Sequence, residues 1–240
     1  MAAAVEALQT RIDEVRRKIA AAAQKSGRDP ETITLVAVSK THTASVVREA
    51  INLGLSDFGE SRVQEAEDKI VAIGRSAARW HLIGHLQANK VRRAVKIFDV
   101  IHSLDSISLA QRLERACIES GREELQVLIQ VDLAGEATKS GIAATELPAL
   151  AKLVNSCSRL KLIGLMLVPP YFEDPEDVRP FFRRLKNLRD ELQAVGLLGQ
   201  NSGELSMGMT HDFEVAIAAG ATMLRVGTAI FGERERPAEL

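Results

Sequence analysis

Short apolar runs rich in β-branched residues recur along this chain, and each is separated from the next by a segment with helical spacing. The runs fall at 35–38, 56–61, 79–84, 99–104, 125–133, 162–168, 205–208 and 223–226. The intervening segments 44–53, 62–73, 86–95, 147–157, 178–195 and 212–219, together with one opened by Asp105 and Ser106, place apolar residues on one helical face. Runs such as LVAV and LIGLMLV lack the alternation of a half-exposed strand, so both faces are expected to be covered. Strict alternation of strand and helix implies an α/β fold with a parallel sheet and right-handed crossovers.

Eight such units in 240 residues approach the roughly 250 residues of a (β/α)8 TIM barrel. An open doubly wound sheet usually carries a GxGxxG turn after an early strand, and none is present. The expectation is therefore one barrel domain over residues 1–240. Val5, Leu8, Ile12, Val15 and Ile19 recur at helical spacing ahead of the first strand and add an N-terminal helix, stopping near Gly27.

The composition narrows the function. A net charge of −1 from 31 basic and 32 acidic residues favours neither nucleic acid nor an anionic membrane as partner. No apolar stretch approaches the ~18 residues of a membrane span, so a cytoplasmic protein is expected. Cys117 and Cys157 lie at no metal-like spacing, each in an expected amphipathic helix, and read as reduced packing residues.

Barrels of this kind place their chemistry at the C-terminal ends of the strands. The first strand delivers Lys40, the second Glu60 and Ser61, the third His81 and His85, and the fourth His102 and Ser103. Asp132 and Met166 follow, then Ser206 and Met207, and finally Arg225, Gly227 and Thr228. A lysine beside an apolar wall has its ammonium disfavoured and becomes a nucleophile for carbonyls, which is the setting of a Schiff base. Phosphate sites commonly use the loops after strands seven and eight, where Ser206, Met207, Gly208, Gly227 and Thr228 offer hydroxyls and approachable backbone. A short helix starting after Thr228 would add its dipole. The histidines show no HxH or HExxH spacing and no accompanying carboxylate cluster, so no metal site is expected. They read as hydrogen-bonding or ring-packing residues.

In order, VAVSK, FGESRVQEA, WHLIGHLQANK, IHSLDS, GEATKSGI, GLMLVPP, LSMGMTHD and RVGTAIFG resemble the signature of the YggS/PROSC family of pyridoxal 5′-phosphate (PLP) homeostasis proteins. The resemblance runs over almost the whole chain. It implies a barrel like that of alanine racemase, PLP as cofactor and no established catalytic activity. By this resemblance Lys40 holds PLP as an aldimine, Arg225 faces the pyridine nitrogen, and Ser206, Met207, Gly227 and Thr228 form the phosphate cup. Ser61 and His81 are counted among the cofactor contacts. Ser61 stands where the family usually has Asn, Val131-Asp132 replaces its usual VN, and Leu167 and Val168 replace its small residues.

An arginine at the pyridine nitrogen can only donate, so it favours the unprotonated ring and weakens it as an electron sink. The expected function is thus PLP homeostasis in a monomeric carrier that delivers the cofactor to apo PLP-dependent enzymes. A small PLP-dependent amino-acid racemase is the alternative, and a cofactor-free aldolase with a Schiff-base lysine is a third reading. Tyr171 follows two prolines, where nothing positions it as an opposite-face base. Lys139, in the GEATKSG loop, either joins the ligand or faces water.

Overall fold

The computed structural model describes residues 2–135, 140–199 and 203–233; Lys139 lies outside them. Among the described residues the strands are β1 (Thr34–Val38), β2 (Asp57–Glu60), β3 (Arg79–Leu82), β4 (Val100–Leu104), β5 (Leu125–Asp132), β6 (Ile142–Ala143), β7 (Leu160–Met166), β8 (Glu204–Met209) and β9 (Met223–Val226). All pairings are parallel. They run β4-β3-β2-β1-β9-β8-β7-β5, and a β4–β5 pairing closes the ring. The result is an eight-stranded barrel, and the open doubly wound sheet is excluded.

The helices are α1 (Ala2–Lys25), α2 (Ala44–Asn52), α3 (Val63–Ile73), α4 (Val91–Ile97), α5 (Ile107–Ser120), α6 (Leu147–Ser156), α7 (Arg179–Ala194), α8 (Phe213–Ala218) and α9 (Thr228–Phe231). Local chemistry sets several boundaries. Ser106 caps α5 by accepting from the Leu109 amide, and Gly121 ends it in the left-handed region at φ 69°. Thr43 caps α2 in the same manner.

Strand alternation divides the apolar side chains between two cores. Ala37, Phe58, Trp80, Leu82 and Ile101 face the helices in the larger one. Val100, Leu128, Ile163, Met166 and Met223 fill the inside of the barrel. Leu8, Ile12, Val15 and Ile19 bury one stripe of α1. Arg11 Nε of α1 donates to the Ile230 carbonyl at 2.7 Å, which ties the first helix to the last.

Several boundaries differ from the sequence expectation by one or two residues; the strand expected at 162–168 runs instead over Leu160–Met166. Three further differences are larger or change an element. The helix expected at 86–95 begins at Val91, after a single 3-10 turn at Ala88–Lys90. Two residues before that segment the backbone is pressed against the turn that follows β2: a Cβ on Gly84 would lie 2.3 Å from the Ser61 carbonyl oxygen. Strand β6 was not anticipated, because its two residues extend the ladder of β5 (Val131 beside Ile142) through long-range pairing alone. Cys157 caps α6 instead of lying within it. Burial pushes the Cys117 thiol up to about 11 and raises Cys157, so both remain unreactive thiols.

Candidate functional site

Because all strands are parallel, their C-terminal ends share one mouth. Lys40 stands there, two residues past β1. Val36 and Val38 are buried outside the helix-facing core, and a Cβ on Gly59 would lie 3.0 Å from Val36 Cγ1. These two valines therefore point into the barrel, and Lys40 follows them in the turn at the strand's end. Lys40 is half-buried.

The backbone around Lys40 is held from behind by a buried ion cluster. Glu60 Oε1 accepts from Ser39 Oγ at 2.6 Å and from Lys69 Nζ at 2.8 Å. Lys69 also donates to the Ser39 carbonyl at 2.7 Å and to Glu65 Oε1 at 2.8 Å. Glu65 in turn accepts from the Thr41 amide. Thr41 has φ 71°, the one positive φ outside glycine among the described residues. That conformation costs a β-branched residue energy, and the neighbouring carboxylate holds it in place.

Protonation in the cluster follows burial and partners. Burial raises the Glu60 pKa against the pull of Lys69 and Ser39, and Glu60 Oε2 is buried without a hydrogen bond. Burial also raises Glu65, but the Lys69 ammonium and the Thr41 amide outweigh it and bring that carboxyl below its ordinary value.

Inside the barrel a second polar set runs across five strands. Arg225 Nη1 donates to Ser206 Oγ at 2.7 Å and Nη2 to the Leu167 carbonyl at 2.8 Å. Ser206 Oγ lies 2.9 Å from His102 Nδ1, and His102 Nε2 lies 2.8 Å from His81 Nδ1. His81 Nε2 lies 3.0 Å from Asp57 Oδ1. His81, His102 and Ser206 are inaccessible to solvent. Burial lowers the pKa of both imidazoles, with Asp57 opposing the shift at His81 and His81 and Arg225 adding to it at His102. Both rings are therefore neutral near pH 7. Burial also lowers the guanidinium of Arg225 to about 10 against the field of Asp212, so Arg225 stays charged.

The ends of β8 and β9 make a cradle beside Lys40. The β8–β9 register shifts between Ser206 and Met209, and Gly208 takes φ 93°. A Cβ there would lie 2.6 Å from the Ala216 Cβ, so this bulge requires glycine. Asp212 Oδ1 fixes it by accepting from the Met209 amide at 2.6 Å. At the end of β9, a Cβ on Gly227 would lie 3.2 Å from the Val38 carbonyl. The exposed Thr228 then opens α9.

Three of the expected cofactor contacts have side-chain partners within the protein itself. Both ring nitrogens of His81 are engaged by Asp57 and His102, so His81 supports the site from within the barrel. Ser206 Oγ accepts from Arg225 and lies opposite His102 Nδ1. Met207 alternates outward into the helix-facing core, so only its backbone can meet a ligand. Ser61 is half-buried at the rim against Gly84. Among the described residues no group of three potential ligands is arranged for a metal ion, and no helix is long and apolar enough to cross a membrane.

Sequence reasoning missed Lys69, Glu65, Asp57 and Asp212. Lys69 had a readable signal: it lies three residues after Ala66 and next to Ile70, on the buried face of α3.

A parallel barrel with a lysine two residues past its first strand and an arginine from its last strand aimed inside defines the class. The family described as "Alanine racemase, N-terminal domain" matches residues 10–235. The alanine racemase of Corynebacterium glutamicum shares the fold, with TM-score 0.65 and 18% identity over 95% of this chain and 62% of that one. The chain belongs, within this class, to the family of pyridoxal phosphate homeostasis proteins. The member from Aquifex aeolicus is 43% identical over 94% of this chain and 97% of its own, and that from Escherichia coli is 44% identical over 92% and 94%. PipY of Synechococcus elongatus, solved with PLP bound, superposes with TM-score 0.81 and 35% identity, covering 94% of this chain and all of PipY.

Proposed function

We propose that this protein binds PLP in the mouth of the barrel and serves PLP homeostasis, holding the cofactor in the cytoplasm and releasing it to apo-enzymes without turnover of its own. The residues present suit the cofactor. Lys40 brings an amine for the aldehyde, Arg225 brings donors for the ring nitrogen, and the Gly208 and Gly227 turns with Thr228 bring backbone and hydroxyl donors for the phosphate. When bound, PLP supplies an aldehyde and an electron-withdrawing ring.

Arg225 carries this reading. Its guanidinium has only donors, and its acceptors here are Ser206 and the Leu167 carbonyl. Such a group keeps a facing pyridine nitrogen unprotonated and so limits the ring's electron-withdrawing power. Tyr171, the single tyrosine, is 78% exposed and stacks on His211 with ring centroids 5.4 Å apart.

The test is PLP addition, desalting and borohydride reduction, followed by peptide mass spectrometry. A reduced PLP adduct on Lys40, lost in Lys40→Ala, is expected; no retained cofactor in the wild type would refute the reading. Deuterium exchange from solvent into the α-carbon of any of a panel of amino acids, dependent on Lys40, would move the protein to the racemase side.

A further inference from the structure

The direction of every hydrogen bond inside the barrel is determined by its two ends. Arg225 only donates, so Ser206 Oγ is the acceptor at 2.7 Å. A serine oxygen can accept twice, so the other end decides: His81 gives its Nε2 proton to Asp57 Oδ1 at 3.0 Å, its Nδ1 accepts, and His102 carries its own proton on Nε2, 2.8 Å away. The single proton of Ser206 then points to His102 Nδ1 at 2.9 Å. Asp57 only accepts when ionised, and its pKa is lowered because the hydrogen bonds from His81 and Ser56 outweigh the effect of burial.

We propose that Asp57, His81 and His102 are positioning residues for Arg225, fixing two imidazole tautomers so that the Ser206 oxygen is held toward the guanidinium. This rests on the reading that Arg225 meets the ring nitrogen of the cofactor. With His102 protonated on Nδ1 instead, the Ser206 oxygen would face two donors and its own proton would turn away from His102. The relay thus gives Arg225 one arrangement, set from the far side of the barrel. Asp57 is the first residue of β2 and lines a groove of about 530 Å³ beside α1, together with Arg16, Glu31 and Ser56. Arg79 Nη1 lies 3.6 Å from the same carboxylate. A continuous polar thread therefore runs from the N-terminal face of the barrel to Arg225, past the apolar side chains of Val100, Leu128 and Met223.

The first test uses ¹⁵N-labelled, cofactor-free protein. Long-range ¹H–¹⁵N correlations at pH 7 are expected to show His81 and His102 both protonated on Nε2 alone. An Nδ1-protonated or doubly protonated ring at either position overturns the relay, whether or not the protein binds PLP. The second test compares PLP retention. Asp57→Leu is expected to mix the tautomers and weaken retention about tenfold, the scale of one lost hydrogen bond. Asp57→Asn keeps an acceptor oxygen and is expected to restore the tautomers and most of the retention. Ser206→Ala cuts the relay at its other end, so it should lower retention by about the same factor while both rings keep their Nε2 protons. Wild-type retention in Asp57→Leu with mixed tautomers, or in Ser206→Ala, would overturn the positioning role. A wild-type protein that retains no PLP would instead refute the reading of the site and leave the tautomer result to judge the relay.

Discussion

Lys69 Nζ lies 2.7 Å from the carbonyl oxygen of Ser39, so an ammonium from α3 grips the backbone one residue before Lys40. The same ammonium meets Glu60 and Glu65, and Lys69 is 6% exposed with Glu60 at 0%. Removing one member of a buried ion pair leaves the other uncompensated and costs about 3–5 kcal/mol. Lys69→Met should lose stability on that scale in urea titrations, and Lys69→Met/Glu60→Leu should recover much of it. A loss below about 1 kcal/mol in the single variant would show that Glu60 is relieved by taking up a proton.

Thr41 holds φ 71°, a region that costs a non-glycine residue about 1–2 kcal/mol. Thr41→Gly removes that strain but gives the unfolded chain more freedom, worth about 1 kcal/mol. The expected change in the denaturation midpoint is therefore small. The expected change at Lys40 is larger: faster hydrogen exchange of the amides of residues 39–42 than in wild type.

The barrel histidines make the fold acid-sensitive. Both pKa values are lowered in the folded protein by burial, so the unfolded chain binds protons more readily. Their contribution is complete above the unfolded value of about 6.5 and is lost as pH falls through the folded values. Between the unfolded value and its own folded value, each histidine removes at most about 1.4 kcal/mol per pH unit, and the larger downward shift at His102 carries its loss further into acid. Urea midpoints measured from pH 7.5 to 5 should fall as the pH is lowered, and the fall should be smaller in His81→Phe.

Arg225→Lys keeps a positive charge and loses the fork that reaches both Ser206 and Leu167. A loss of about 1.5–3 kcal/mol for one charged hydrogen bond is expected, and PLP retention should fall even though net charge is unchanged. Equal retention by both proteins would mean that charge alone suffices at this position.

At the rim, Gly84→Ala would place a Cβ 2.3 Å from the Ser61 carbonyl oxygen. Overpacking of this kind costs about 1–3 kcal/mol. Because the contact is with backbone, the ends of β2 and β3 must move apart, and PLP retention should fall together with the thermal midpoint.

The barrel was legible because its strands are covered on both faces and so appear as unbroken apolar runs, as in LVAV of β1 and LIGLM of β7. Caps such as Ser106 were legible because they act within one turn. Strand ends could be named, so Lys40, His81, His102, Ser206 and Arg225 all entered the list of candidates. Their relations could not be read in this way. Whether His81 meets a ligand or His102 depends on the register of β3 against β4, and register between parallel strands is fixed by the whole barrel. Ser206 and Met207 are neighbours in sequence yet face opposite sides of β8, and assigning the sides requires knowing where the bulge at Gly208 falls. Lys69 was passed over because a lysine on a helix is ordinarily solvated; its place beside Ala66 and Ile70 was the available clue.

The pairing of β1 with β9, which sets Val36 beside Arg225, has a consequence for synthesis. Barrel closure waits for a strand made almost 190 residues after its partner. At roughly 5–20 residues per second, about ten to forty seconds pass in which the nascent β1 has an open edge and Lys40 has no Arg225 below it. The complete mouth therefore forms only after every other strand of the barrel has been made, and a ribosome-bound intermediate lacking β9 should have a lysine but no site.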